Sequence, residues 1–283
     1  MTAWASVLTG SRTGWVERLR RPLWVVAAVL AAGLLGMALL PLDAYGTDLS
    51  SRFDGPSIEH LLGTDQLGRD VLARLAVGAR ISVGFTLLAL VICAVTGTLL
   101  GLVAGWCGRV VGQVFQRTVD VLVAVPAVLI GLIVIAASED GAPGLDTLLI
   151  AIVVVGWIPF ARLTYQLVVR ERSREYVEGA VAIGAGPVRI ALRHVLPNLA
   201  RPLTSHLCLR FANILLTVAG LSFLGLGPQP PTPEWGAMIA EGRQYMFAAP
   251  QLVLVPAVVV VGTALLVTAA GRVLERRWSS GQF

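Results

Sequence analysis

The 283-residue chain contains no lysine; its 22 basic side chains are all arginine. A phosphate-binding P-loop needs a lysine on the nucleotide phosphates, and imine chemistry needs a side-chain amine. This chain therefore neither binds ATP through a Walker motif nor forms Schiff bases. Cysteine is sparse as well. Cys93, Cys107 and Cys208 form an odd, scattered set, which argues against a disulfide framework or a metal site and for small apolar packing residues. The histidines are His60, His194 and His206, and no Ser/His/Asp or clustered-ligand spacing connects them, so a membrane-embedded enzyme would lack a site. Charged residues are only 14% of the chain and leave long runs empty. No such run has an Asp or Glu in its interior, which counts against a proton-coupled secondary transporter.

What is abundant is apolar length: 56% of the residues are hydrophobic, too many for a soluble domain with one core. A hydrocarbon layer of about 30 Å, crossed at about 1.5 Å per residue, needs roughly 20 apolar residues per helix. Six stretches approach that: Leu23 to Leu40, Ile81 to Cys107, Val121 to Ala137, Thr147 to Val169, Pro202 to Leu224 and Phe247 to Ala270. The expected architecture is an all-α membrane protein with six transmembrane helices. The first run follows "RLRRP", like the start of a signal peptide, but it is long and leads into "PLDAYG" rather than a small-x-small cleavage site, so a retained helix over 23–41 is expected.

With residues 1–22 in the cytoplasm, sixteen arginines fall on the cytoplasmic side and five outside (Arg52, Arg69, Arg74, Arg80 and Arg243), while Arg210 lies within a span. This positive-inside bias predicts that both termini, including the tail 272–283, are cytoplasmic. The net charge of +5 is spread between spans rather than gathered on one soluble face, so membrane lipid is the expected partner and nucleic acid is not.

The outer segment 42–79 alternates in charge. Thr64 or Asp65 is the expected cap of a helix leading into the second span, and Asp70 with Arg74 reads as an i, i+4 pair. The segment is either a solvated cap or a docking surface for an extracytoplasmic partner. Within the core, 80–271, Pro126, Pro159 and Pro256 fall inside spans, where each frees a carbonyl that lipid cannot satisfy, as in kinked helices around a pathway. Arg210, roughly two turns into the fifth span, must face the bundle interior or a wet cavity, pair, or snorkel to the interface. In the outer loop 225–249 four prolines lead into a short amphipathic stretch from Glu234 with Trp235, Met238 and Ile239, expected to lie in the membrane interface near the mouth of a path. Arg210, Pro126, Pro159 and Trp235 are thus candidates for the path or its gate.

Between the fourth and fifth spans lies a charged loop, 171–198, with the sequence "EYVEGAVAIGAGPVRIALRHVLPN" over Glu175 to Asn198. Glu175 to Gly184 has helical spacing, with Val177, Ala180, Val181 and Gly184 on one face. Gly184 and Gly186 break it. Pro187 suits the first turn of a second helix, whose apolar stripe is Val188, Ala191, Leu192, Val195 and Leu196, and Pro197 is expected to end it. Physics alone allows either a plug for a partner's socket or a helix lying flat on anionic lipid.

"EGAVAIG" followed by "HVLP" resembles the EAA loop of ABC importer permeases: Glu178, Gly179 and Ala180 stand at the E-A-A positions, Gly184 at the glycine, and Leu196 with Pro197 at the end. Gly179 departs from the usual alanine and should weaken the helix by up to about 1 kcal/mol. "GTDQLGRDVLARLAVGARISVG", "RHVLPN" and "LSFLGLGPQPPTPEWGAMIAEGR" extend the resemblance to the C-type permeases of dipeptide, oligopeptide and nickel importers, from about Leu23 to Pro256; the tail "GRVLERRWSS" departs from it. The resemblance implies a type I ABC importer permease fold in a bacterial cytoplasmic membrane, with a homologous B-type permease as partner. It also implies one or two ATPase subunits that carry the ATP and magnesium, and an extracytoplasmic substrate-binding protein. Glu175, Glu178, Gly179, Ala180, Gly184, Leu196 and Pro197 would form the ATPase-coupling interface. Peptides would be the solute, with nickel or another metal chelate as the alternative.

Overall fold

The computed structural model describes residues 42–137 and 143–279. The expected first span, 23–41, and the segment 1–22 lie outside the described residues, as does the end of the tail, 280–283. Among the described residues the secondary structure is helical, apart from one isolated bridge between Thr64 and Asp70.

The longest helix, α1 (Val71–Trp106, 36 residues), begins well before the apolar run at Ile81 because Asp70 caps it, accepting from the Ala73 N–H at 2.7 Å. Neither Thr64 nor Asp65 is the cap, and the expected Asp70–Arg74 pair does not form. Asp70 also binds His60 Nδ1 at 2.8 Å, and Arg74 turns to other carboxylates. Leu88, Val91, Val95, Leu99 and Val103 are exposed along one side of α1, while Phe85, Ala89, Cys93, Gly97 and Gly101 are buried on the other. A helix apolar all round is at home in lipid rather than water.

α2 (Arg109–Val123) and α3 (Ala127–Ala137) divide what was expected as one span from Val121: Pro126 ends the helical ladder between them. α4 (Leu145–Gly156) and α5 (Ile158–Arg172) are separated at Trp157, with Pro159 in the first turn of α5, where a missing N–H costs least; together they make one apolar length of 28 residues. α6 (Glu175–Ala182) and α7 (Pro187–Ile190) form the two-helix bend. A π-helical turn over Ala191–Val195 joins α7 to α8 (Leu196–Phe223). Pro197 therefore does not end a helix. It sits in the first turn of α8, and the missing donor is accommodated by a widened turn in which the Leu196 N–H reaches the Ala191 carbonyl. α9 (Trp235–Gly242) and α10 (Gln251–Ser279, with Pro256 inside it) complete the chain. Four lengths among the described residues are long and apolar enough to cross a membrane: Val71–Trp106, Leu145–Arg172, Pro202–Phe223 and Gln251–Val273.

α1 and α5 approach closely along a glycine stripe. A Cβ at Gly97 would lie 2.3 Å from the Trp157 carbonyl oxygen, at Gly101 2.4 Å from that of Ala161, and at Gly105 2.8 Å from Val168 Cγ1. Where water supplies no hydrophobic drive between helices, this backbone proximity maximises dispersion contact. The main core, with Phe85, Leu148, Phe160, Leu215, Val218 and Trp235, sits among α1, α4, α5, α8, α9 and α10. A smaller core of Leu167, Val168, Val177, Ala180, Ile190, Val195 and Leu199 fastens the α6–α7 bend to α5 and α8.

Candidate functional site

Two constructions stand at opposite ends of the bundle. At one end is the α6–α7 bend. Burial of Val177 and Ala180 turns Glu175, Glu178 and Gly179 outward. Ile190, rather than the expected Val188, faces inward, because the π turn shifts the register of the second stripe. Val181 (59% exposed), Ile183 (86%) and Val188 (69%) then form an apolar tip around Gly184. Gly184 has φ +80°; its N–H reaches the Val181 carbonyl at 2.9 Å, and the Ala185 N–H that of Ala180 at 3.0 Å. These two bonds are the Schellman closure of a helix, and a left-handed residue there is what glycine supplies. No atom outside its immediate neighbours lies within 4 Å of a Cβ built at Gly184, so backbone conformation and not crowding selects glycine.

The base of the bend is tied at three points. Arg172 Nη1 donates to the carbonyls of Gly105 (2.9 Å) and Trp106 (2.8 Å), and its guanidinium lies 5.1 Å over the Trp106 ring. These bonds satisfy carbonyls at the end of α1. Tyr176 donates to Glu171 Oε2 (2.9 Å) and accepts from Asn198 Nδ2 (3.3 Å), joining α5, α6 and α8; burial pushes its phenol pKa upward. Glu178 shares a hollow with Trp106, Arg172, Val181 and Ile190. Leu196 is half-buried and Pro197 exposed at the start of α8. Gly179 is exposed with open space around its Cα, so Gly179→Ala is expected to stabilise α6 by up to about 1 kcal/mol with transport unchanged, read from the melting of the purified complex.

At the other end the segment from Asp43 to Asp70 folds over α9. Arg69 Nε meets Asp65 Oδ2 at 2.6 Å, and Arg69 Nη2 meets Glu241 Oε2 at 3.0 Å. Arg74 meets Asp65 at 3.3 Å and Glu241 at 3.1 Å. Both arginines are only 2% exposed. Glu234 caps α9 from full burial, accepting from the Ala237 N–H (2.9 Å) and from Ser82 Oγ (3.1 Å). The Trp235 and Met238 face of α9 is therefore covered by protein. Trp235 is wholly buried, its Nε1–H donating to the Leu75 carbonyl at 3.1 Å, which takes it off any path-lining surface and makes it an anchor. Met238 is also buried and Ile239 half-buried.

The other path candidates are dispersed. Pro126 is exposed at the α2–α3 break and Pro159 half-buried in α5. Arg210 is half-buried on α8, with Nε enclosed and without a hydrogen-bond partner. An open cleft of about 700 Å³ between α5, α8 and α10 runs from Arg170, Arg174 and Asn198 up to His206 and Leu209. The small-residue spacing of Gly97, Gly101 and Gly105 is a signal of close helix packing that the sequence itself carries. The pairing of Arg69 and Arg74 with Glu241 carries no local signal, since the partners are 172 and 167 positions apart.

Residues 97–280 match the family model described as binding-protein-dependent transport system inner membrane component. The chain is 39% identical over 219 residues to the dipeptide transport system permease protein DppC of Alkalihalophilus pseudofirmus, covering 77% of this chain and 71% of that one. It is 39% identical to the di/tripeptide transport system permease protein DppC of Pseudomonas aeruginosa (78% and 72% covered). It is 34% identical to the glutathione transport system permease protein GsiD of Pectobacterium atrosepticum (92% and 87%). In fold it is similar to a chain of the inward-facing MetNI methionine ABC transporter, with a TM-score of 0.60 at 17% identity over 72% of this chain and 95% of that one.

Proposed function

Since the chain belongs to the family of binding-protein-dependent transport system inner membrane components, as a permease subunit of an ABC importer, we propose that it forms half of a membrane path for peptides. It is a transport component and not an enzyme: ATP is hydrolysed by separate ATPase subunits, and a binding protein delivers the solute. The peptide reading is supported by the dipeptide, di/tripeptide and glutathione names of three relatives. A homologous second permease supplies the other half. Six spans with both termini in the cytoplasm fit the arginine bias. Arg170, Arg172, Arg174, Arg189 and Arg193 cluster at the α6–α7 end, whereas Arg69 and Arg74 at the opposite end are neutralised by Asp65 and Glu241 and weigh little on orientation.

The observation that carries the coupling role is the exposed apolar tip of Val181, Ile183 and Val188 on a bend held from beneath by buried Val177, Ala180 and Ile190. A tip of that kind suits a protein-binding surface. Burying the Val177 and Ile190 side chains contributes about 1.5–3 kcal/mol each, enough to make the bend a rigid lever rather than a loose loop. Glu175, Glu178, Gly179 and Gly184 then seat in an ATPase subunit, whereas Ala180, expected at that interface, is buried and holds the bend from beneath; Leu196 with Pro197 passes the displacement of the bend directly into α8 through the continuous π turn. Closure of the ATPase pair on nucleotide thereby becomes a change in which side of the membrane the path faces.

The test is uptake by proteoliposomes holding the complete complex. ATP-dependent entry of a dipeptide, absent without the binding protein, is the expected result. A binding protein whose bound ligand, identified by mass spectrometry, is a metal chelate would overturn the peptide reading.

A further inference from the structure

We infer that one polar stripe of α8, formed by His206, Arg210, Asn213 and Thr217, is a wet wall of the solute path, and that Arg210 is the position on it that takes the carboxylate of a passing solute. The inference rests on the permease reading above and adds a residue and a chemistry to it.

At about 100° per residue these four positions fall within about 60° of one another on the helix. Behind them Phe211, Ala212, Leu215 and Val218 are buried in the bundle, while Asn213 is exposed and Thr217 half-buried. Asn213 donates to the Leu209 carbonyl at 3.0 Å and Thr217 to that of Asn213 at 2.8 Å, both bonds within α8. Arg210 Nε and His206 Nε2 are enclosed without a hydrogen-bond partner. A charged group at this depth is costly unless something of opposite charge or water meets it.

Among the described residues nothing does so. Arg210 makes no ion pair among the described residues, its electrostatic neighbours are His206 and the Cys93 thiol rather than a carboxylate, and the sequence has no Asp or Glu between Glu17 and Asp43. Access comes from below. His206, one turn before Arg210, lines the same open cleft as Arg170, Arg174 and Asn198. A cleft reaching the foot of the stripe suits a group that passes through better than a sealed pair with an acidic side chain of the second permease.

Two readouts test this on the assembled complex, with Cys93, Cys107 and Cys208 replaced by alanine. First, Asn213→Cys and Thr217→Cys are modified with an anionic and a cationic methanethiosulfonate reagent, each rate divided by that for a free thiol in solution. The anion-to-cation ratio should be about tenfold higher with Arg210 present than with Arg210→Gln, and Arg210→Lys should keep most of it. No reaction with either reagent, or a ratio indifferent to Arg210, would overturn the inference. Second, uptake of a dipeptide with a free carboxylate should fall about tenfold in Arg210→Gln and recover in Arg210→Lys, with all subunits retained. Loss of the second permease from the Arg210→Gln complex would instead assign Arg210 to an intersubunit pair. Should the wild-type complex take up no peptide, the peptide reading falls while the labelling ratio still decides whether Arg210 serves an anion path.

Discussion

Gly184→Leu and Glu178→Arg are each expected to leave the chain inserted and paired with the second permease while abolishing solute uptake and releasing the ATPase subunits. The two act by different physics. Gly184 closes α6 at φ +80° with open space around it, so leucine meets no clash; it meets the left-handed backbone penalty of about 1–2 kcal/mol. The bend can escape that cost by unwinding, which displaces the Val181, Ile183 and Val188 tip from its seat. Gly184→Asn, which tolerates the left-handed conformation, should retain much of the coupling. Glu178 is exposed beside Arg172 in the hollow under α6, and an arginine there puts a mismatched charge into the proposed interface, a change that commonly costs several kcal/mol. Both substitutions lie outside the apolar spans, so insertion should survive. The measurement is substrate-stimulated ATPase activity and uptake, with subunit retention on a tagged permease. Wild-type uptake and retained ATPase subunits in both variants would leave the bend as a helix resting on lipid.

Glu241→Ala is expected to destabilise the opposite end by about 3–5 kcal/mol, because it leaves Arg69 and Arg74 buried with Asp65 as their single carboxylate. Arg74→Ala should cost a similar amount, leaving Arg69 as the single cation for the two carboxylates Asp65 and Glu241. The double variant should lose much less than the two added together, since each single change removes the same contact and exposes a different unpaired charge. Thermal unfolding of the purified complex reads these differences. The loss should be confined to the cap: the segment 42–70 and α9 come free while the α6–α7 bend, held by its own core, keeps the ATPase subunits. Purely additive single and double variants would show that the four groups do not act as one network.

Features written in nearest-neighbour order could be read directly from the chain. The long apolar runs and the arginine bias mark a helical membrane protein, the glycine punctuation at Gly184 marks the bend, and the transport role is legible only through the resemblance of "EGAVAIG" and "HVLP" to the EAA loop of ABC importer permeases. Helix periodicity, breakers and charge bias act over a few residues, and so survive without knowledge of the fold. Even locally there were limits. Pro126 stands at a helix break and Pro256 inside a continuous helix, though each lies within an apolar run of similar composition.

Tertiary structure alone decided what meets what across the bundle. Asp70 is available in sequence to both Arg74 and the helix end; in the fold it caps the helix, while Arg74 meets Glu241, 167 positions away. An amphipathic stretch at Trp235 reads identically whether it covers lipid or protein, and burial of Glu234 against Ser82 settled it for protein. Arg210 stands out because, among the described residues, the fold brings no carboxylate to it. Hydrophobic pattern says that a face must be covered; only the packed arrangement says by which residues, because burial is non-directional while ion pairs and glycine contacts are not.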